Sequence, residues 1–107
     1  MKQVVWLGDS WYRLKAFPDP VQDFLGHALY EAQVGRKNDR AKPLHGLGSG
    51  VFEIAANDAS GTYRAVYTVS IGSAVYVLHA FQKKSKSGIS TPQAEIEVVR
   101  QRLFAVA

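Results

Sequence analysis

Three lysines follow directly on the last apolar stretch of the chain, at Lys83, Lys84 and Lys86. Residues 74–82 before them have the composition of a buried strand, and no acidic side chain occurs from residue 59 to residue 94. A strand end fixes side chains better than a flexible tail does. Cations held there without neutralising carboxylates therefore predict a site for a polyanion such as RNA or DNA. The alternative is a solubilising basic turn at the end of a strand.

One arginine lies inside a predicted strand, where alternation decides which way it points. In residues 62–71 the odd positions make the better core face, which places Arg64 on the opposite face, together with Glu53 from the preceding strand. Two interpretations stay open: a cross-strand ion pair with Glu53, or a phosphate clamp, because a guanidinium fork matches phosphate geometry. We expect Arg64, Lys83 and Lys84 to be exposed, so alanine there should change stability by less than about 0.5 kcal/mol.

A histidine stands in the last strand, shortly before the lysines. Alternation predicts that His79 shares one face with Val75, Val77 and Phe81. A lone histidine among apolar residues is typical of a hydrogen-bonded core position. The neighbouring cations favour a catalytic role instead, because histidine transfers protons near neutral pH.

The composition sets the class of protein. The chain has 107 residues, a net charge of +4 and a hydrophobic fraction of 47%, which predicts one folded domain with a modest core. The absence of cysteine excludes disulfides, a thiolate nucleophile and a cysteine zinc site. No His, Asp or Glu cluster has metal-ligand spacing, so we expect no metal and no cofactor. No apolar run approaches the ~20 residues of a membrane span, which favours a soluble cytoplasmic protein without a membrane partner.

The pattern of elements predicts an α+β fold. A polar loop at 36–50 separates two helices from three strands that are joined by short turns, and such turns predict an antiparallel meander. The helices would pack on one face of the sheet in a two-layer arrangement and leave the other face, or its rim, for function. The predicted elements are a strand at 4–7, a helix at 11–16 capped by Asp9 or Ser10, a helix at 20–34 with an apolar stripe, strands at 51–56, 62–71 and 74–82, and a helix after Thr91-Pro92 with Ile96, Val99, Leu103 and Val106 along one side.

Several short motifs, in order along the chain, carry a family resemblance. They are Lys42-Pro43-Leu44-His45-Gly46-Leu47-Gly48, Val51-Phe52-Glu53-Ile54, Tyr63-Arg64-Ala65-Val66-Tyr67, Leu78-His79-Ala80-Phe81-Gln82-Lys83-Lys84-Ser85, and Thr91-Pro92 before the last helix. On these residues the chain resembles the phage-derived, HigB-like branch of the RelE/ParE toxin superfamily. The resemblance implies one domain over residues 1–107 with the RelE-like fold, an antiparallel sheet packed by an N-terminal helical pair, with a C-terminal helix.

The resemblance also implies a function and partners. RelE-like and HigB-like members are toxins of type II toxin–antitoxin systems that cleave mRNA in the ribosomal A site without a metal, by attack of the ribose 2′-OH on the neighbouring phosphate. The implied partners are a cognate antitoxin with a helix-turn-helix domain, the ribosome and mRNA. Two alternatives stay open: a ParE-like inhibitor of DNA gyrase with the same fold, and a non-catalytic RNA-binding or interaction module.

Cationic site residues carry over from the resemblance one by one. Arg64, in the Tyr-Arg pair, matches the arginine that RelE-like toxins place at the scissile phosphate. Lys83 or Lys84 matches a second catalytic cation at the end of the last strand. Lys42 and Lys86 would add phosphate contacts to RNA.

The match departs from RelE at the proton-transfer positions. Glu53 and Ala55 stand where RelE has two lysines, and no tyrosine follows Tyr76. Glu53 is either a proton acceptor near the 2′-OH or only the partner of Arg64. His79 would supply the acid that the missing groups provide in RelE.

Overall fold

The computed structural model describes residues 1–83 and 90–107. The predicted α+β class is confirmed, with one short strand added inside the predicted loop at 36–50. The elements are β1 (Gln3–Trp6), α1 (Ser10–Lys15), α2 (Asp19–Gln33), β2 (Lys42–Pro43), β3 (Val51–Asp58), β4 (Gly61–Thr68), β5 (Ala74–Lys83) and α3 (Gln93–Val106).

The strands form a single sheet in the order β1-β5-β4-β3-β2. The predicted antiparallel meander is confirmed for β3, β4 and β5. β1 lies parallel to β5, from Gln3 opposite Ala74 to Trp6 opposite Val77, which the sequence patterns did not predict. Parallel neighbours need a long crossover, and α1 and α2 lie within that connection.

Helix α2 packs on one face of the sheet, called the first face below, and buries there the apolar stripe that its sequence predicts. The opposite side of the sheet is called the second face. Each buried Val or Leu side chain there contributes about 1.5–3 kcal/mol. Gly35 ends the helix with a φ of +85°, a conformation that suits glycine, and its N–H donates to the Ala32 carbonyl at 3.2 Å. The buried helix residues are Val21, Leu25, Ala28, Leu29 and Ala32.

A β-bulge in β5 changes which residues share a face. Val66 of β4 lies opposite His79, but the next residue of β4, Tyr67, lies opposite Val77, so Leu78 is an extra residue in β5. Val77 packs against the first face of the sheet with α2, whereas Leu78 packs on the second face. The prediction that His79 shares a face with Val75 and Val77 is therefore wrong, because one inserted residue shifts the alternation by one position.

Helix α3 covers part of the second face, which we had expected to be open. Val99 is fully buried there and Leu103 packs beside it, as the predicted stripe requires. Ile96 and Val106 are half-buried, and Phe104 is 85% exposed. With one fully buried side chain, α3 depends strongly on polar contacts for its attachment to the sheet.

Candidate active site on the second face of the sheet

The second face brings together the predicted site residues that the structure describes. Lys42 lies opposite Glu53, Glu53 lies opposite Val66, and Val66 lies opposite His79, so these residues share one row across four strands. Three strand spacings separate the ends of this row by about 14 Å. Arg64 and Lys83 belong to the next two rows of the same face, because residues directly opposite each other point the same way.

Glu53, Arg64 and Thr91 form a compact polar cluster at the centre of this face. Arg64 Nη1 donates to Glu53 Oε1 at 2.9 Å and to the Thr91 hydroxyl at 3.3 Å. The Thr91 hydroxyl in turn donates to Glu53 Oε2. The predicted cross-strand ion pair between Glu53 and Arg64 is therefore present.

The expectation that Arg64 and Lys83 are exposed is wrong. The Arg64 side chain is 8% exposed and its partner Glu53 15%, while Lys83 is 8% exposed at the end of β5. Thr91, just before α3, lies against Arg64, a contact that strand alternation cannot predict. Lys42 is exposed on β2, as a phosphate-contacting residue should be.

Two predicted cations, Lys84 and Lys86, lie outside the described residues. Their predicted roles stay predictions, as do those of Lys42, Lys83 and the Glu53–Arg64 pair.

His79 is enclosed between β5 and α3 and is 2% exposed. Its Nε2 lies 2.9 Å from Glu95 Oε1, and its Nδ1 lies 3.4 Å from Arg102 Nη1. A neutral ring with the proton on Nε2 satisfies both contacts, because it donates to the carboxylate and accepts from the guanidinium. Burial lowers the pKa of His79 below its ordinary value, and Arg102 and Arg13 add to the lowering, although Glu95 opposes it. Its role as an acid stays a prediction that requires Glu95 to release the ring.

Arg102 ties α3 to both the sheet and α1. Its Nη1 donates to the carbonyl of the bulged residue Leu78 at 2.9 Å, and its Nη2 donates to Asp9 Oδ1 at 2.8 Å. Arg13 Nε donates to the other Asp9 oxygen at 2.7 Å. This bond from Arg13 is the main reason that the pKa of Asp9 falls to about 2, with Arg102 adding to it and burial opposing it. Asp9 precedes α1 as predicted, but its side chain makes no cap bond to the helix and binds the two arginines instead.

The family of the chain follows from comparison with known proteins. The model of the family described as "Phage derived protein Gp49-like" matches residues 12–104. The chain belongs to this family. It is a RelE/HigB-like toxin family, so the predicted membership of the RelE superfamily is confirmed.

A solved structure supports the fold of this Gp49-like chain. The crystal structure of the isolated E. coli RelE toxin is 18% identical, with a TM-score of 0.59 over 94% of this chain and 98% of the RelE chain. At this identity the likeness shows the fold, and the predicted RelE-like fold is confirmed. No curated protein sequence matches the chain.

Two further findings concern the described part of this Gp49-like chain. Within residues 1–83 and 90–107, no helix is long and apolar enough to cross a membrane. Over the same ranges, no group of three or more His, Asp or Glu side chains is arranged to hold a metal ion.

Sequence reasoning missed Thr91, Glu95 and Arg102 as members of the site of this Gp49-like protein. A signal for two of them was present, because Glu95, Val99 and Arg102 recur at i, i+4 and i+7 on one face of the last helix. An apolar residue between a carboxylate and a guanidinium on one helix face indicates that the apolar side chain is packed and that the two charged side chains make polar contacts beside it. Thr91 had no comparable signal beyond its place before Pro92.

We expect the buried His79 to make stability depend on pH below neutrality. Because its pKa is lowered in the folded state, the unfolded chain binds the proton more readily as pH falls below the ordinary value of 6.5. Stability is then fully present above pH 6.5 and falls by up to about 1.4 kcal/mol per pH unit below it. Urea unfolding from pH 8 to pH 5 measures this slope.

A His79→Gln variant should lose this part of the slope, whereas His27→Gln, a change of a histidine whose side chain is 66% exposed, should keep it. Equal slopes in wild type and His79→Gln would contradict the neutral, buried state of His79.

Proposed function

We propose that this Gp49-like protein is the toxin of a toxin–antitoxin pair and acts as a ribosome-dependent mRNA endonuclease. Membership of a RelE/HigB-like toxin family and the RelE fold support the toxin assignment. The observation that carries the nuclease is the Glu53–Arg64 ion pair, which lies on the same sheet face as Lys42 and Lys83. A carboxylate can accept the proton of a 2′-OH, and a guanidinium can stabilise the charge that develops on the phosphate, so the pair supports this reaction.

The proposed reaction assigns one role to each group. The Glu53 carboxylate accepts the proton of the 2′-OH, whose oxygen then bonds to the phosphorus while the bond from phosphorus to the 5′-oxygen breaks. The products are a 2′,3′-cyclic phosphate and a 5′-OH. Arg64, Lys83 and Lys84 stabilise the charge on the phosphorane, as preorganised cations do where charge develops. His79 protonates the 5′-oxygen once Glu95 has released its ring and the ring has taken up a second proton from solvent.

The proposed partners follow from the same assignment. The antitoxin is a helix-turn-helix protein, and the ribosome presents the mRNA. Lys42 and Lys86 contact phosphates, so Lys42→Ala should weaken RNA binding to a similar extent for every sequence and should reduce its salt dependence.

Thr91 is expected to act as a positioning residue for Glu53 and Arg64, since its hydroxyl bonds both. A Thr91→Val variant keeps the shape of the side chain but frees the Glu53 carboxylate to rotate. We expect the cleavage rate on programmed ribosomes to fall about tenfold, the loss of one charged hydrogen bond.

Thr91→Ser restores the hydroxyl and should recover most of the cleavage rate. Ser90→Ala, a change of the exposed neighbour, serves as the control and should have no effect. A Thr91→Val variant as fast as wild type, or faster, would show that Thr91 only shields Arg64.

Inducible expression of this chain alone in a bacterial host tests the function as a whole. Growth arrest with new mRNA 5′ ends inside translated codons supports the nuclease. Arrest with intact mRNA and inhibited gyrase supercoiling identifies a ParE-like inhibitor instead. Continued growth at high expression removes the toxin assignment and favours an RNA-binding module.

A further inference from the structure

A groove at the edge of the sheet adjoins the candidate active site. Its volume is about 800 Å³, which is ample for a nucleotide, and it lies between the end of α1, the start of β4, the end of β5 and the start of α3. Tyr63, Gln82 and Pro92 line it.

Each of these lining residues is the chain neighbour of a residue of the proposed active site. Tyr63 precedes Arg64, Gln82 precedes Lys83, and Pro92 follows Thr91. Tyr63 and Gln82 point away from the face of Arg64 and Lys83, because successive strand residues alternate. Pro92 joins the two sides, since it lines the groove and Thr91 before it contacts Arg64. The groove therefore opens beside a phosphate bound at Arg64.

The chemistry of the groove fits a nucleobase. Phe17 and Tyr63, which are 9% and 6% exposed and pack on each other with ring centroids 4.7 Å apart, give it a small apolar lining. Arg13, with a side chain 50% exposed, contacts Asp9 through Nε, so its two Nη groups can face a ligand. Gln82 uses its Nε2 on the Ser60 carbonyl at 3.3 Å, which leaves its oxygen as an acceptor.

The carboxylate of Glu95 also lines the groove, while its Oε1 contacts His79. Guanidinium, amide and carboxylate groups are the side chains that distinguish base edges by hydrogen bonding. Sequence-specific RNA recognition uses splayed bases, aromatic or guanidinium planes and such hydrogen bonds together.

We propose that this groove binds the unpaired base next to the scissile phosphate, and that Arg13, Gln82 and Glu95 set the base preference of cleavage. The inference deepens the proposed nuclease function and rests on it. A peptide segment of a protein partner is the competing occupant. The cations of the adjoining face and the three base-reading groups favour RNA.

Chemical-shift mapping of the chain with short, non-cleavable RNA tests the groove directly. The probes are four 2′-O-methyl trinucleotides, each made of a single base type. We expect one of them to shift the Gln82 side-chain amide and the Arg13 Nε–H signals far more than the other three do. Shifts confined to Lys42, Lys83 and the second face, or equal for all four bases, would overturn the proposal.

A groove-filling variant gives a second, independent test. Ala16 lines the groove, is exposed and has ordinary helical angles of φ −88° and ψ −6°, so Ala16→Trp fits the backbone. It should weaken binding of the preferred trinucleotide at least about tenfold, the effect of losing one stacked base. Ala105→Trp, the same change at an exposed position of α3 away from the groove, should leave binding unchanged.

The outcomes separate this inference from the nuclease itself. Groove shifts without mRNA cleavage in cells would refute the nuclease and keep the base site. Cleavage with the same base preference in wild type and Ala16→Trp would refute the base site and keep the nuclease. Unchanged RNA binding by Ala16→Trp would overturn the proposal and would favour a peptide segment as the occupant of the groove.

Discussion

Arg64→Ala is expected to abolish growth arrest and to lower the free energy of unfolding by about 3 kcal/mol. The substitution removes the cation proposed for the phosphate and leaves the Glu53 carboxylate, 15% exposed, without its charged partner. We take the lower end of the range for a broken buried pair, because Glu53 keeps some contact with water. Because the free energy of unfolding of a native protein is about 5–15 kcal/mol, a loss of about 3 kcal/mol should leave the variant folded.

A double variant separates the catalytic effect from the loss of stability. Glu53→Met with Arg64→Met removes both charges and fills the space with apolar atoms, which usually restores stability. We expect near-native urea unfolding with no growth arrest. Arg100→Ala breaks an exposed ion pair with Glu97, whose side chains are 49% and 52% exposed, and serves as a control with little effect. Full growth arrest in the double variant would show that Arg64 is structural and that the site lies elsewhere.

The second large effect is expected at the contact between Gly8 and Arg102. A Cβ atom at Gly8 would lie 2.4 Å from the guanidinium carbon of Arg102, so Gly8→Ala must displace this side chain. The guanidinium is the end of a flexible side chain, so its shift weakens the hydrogen bonds to Leu78 and Asp9 without removing them. This should cost about 1 kcal/mol beyond the backbone strain at Gly8 and should loosen α3. Urea unfolding measures the cost, and amide hydrogen exchange measures the loosening of α3.

Gly72 offers a matched control for this experiment. Its φ of +56° is close to the +54° of Gly8, but a Cβ there meets no atom within 4 Å. Gly72→Ala should therefore lower the free energy of unfolding only by the backbone strain, roughly 1–2 kcal/mol. The difference between the two variants isolates the displacement of Arg102. If Gly8→Ala and Gly72→Ala had the same stability and the same amide exchange in α3, this would contradict the role of Arg102 in attaching that helix.

Local patterns predicted the parts of the molecule that depend on local physics. The stripe of α2 and the pairing of Glu53 with Arg64 follow from helical and strand periodicity, which act within a few residues. The family resemblance carried by the short motifs predicted the RelE-like fold. The predicted role of Glu53 rests on the same alternation.

The remaining features depend on contacts between distant parts of the chain. The bulge at Leu78 needs the register between β4 and β5, and the satisfied Leu78 carbonyl needs Arg102, 24 residues later. Thr91, 27 residues after Arg64, contacts the guanidinium and contributes to its burial. Helical and strand periodicity cannot predict contacts between residues so far apart in the chain. Strand alternation therefore predicted the face of Arg64 correctly, whereas the expected exposure of Arg64 was wrong.

The central claim is that the protein cuts mRNA by attack of a ribose 2′-OH. The most direct test is cleavage by the purified protein on ribosomes programmed with mRNA that carries a single 2′-deoxynucleotide at the mapped cut position. We predict that the all-ribose mRNA is cut to a 2′,3′-cyclic phosphate and a 5′-OH, whereas the deoxy-substituted mRNA stays intact at that position. Cleavage of the deoxy-substituted mRNA at the same position, or no cleavage of either mRNA, would contradict the claim.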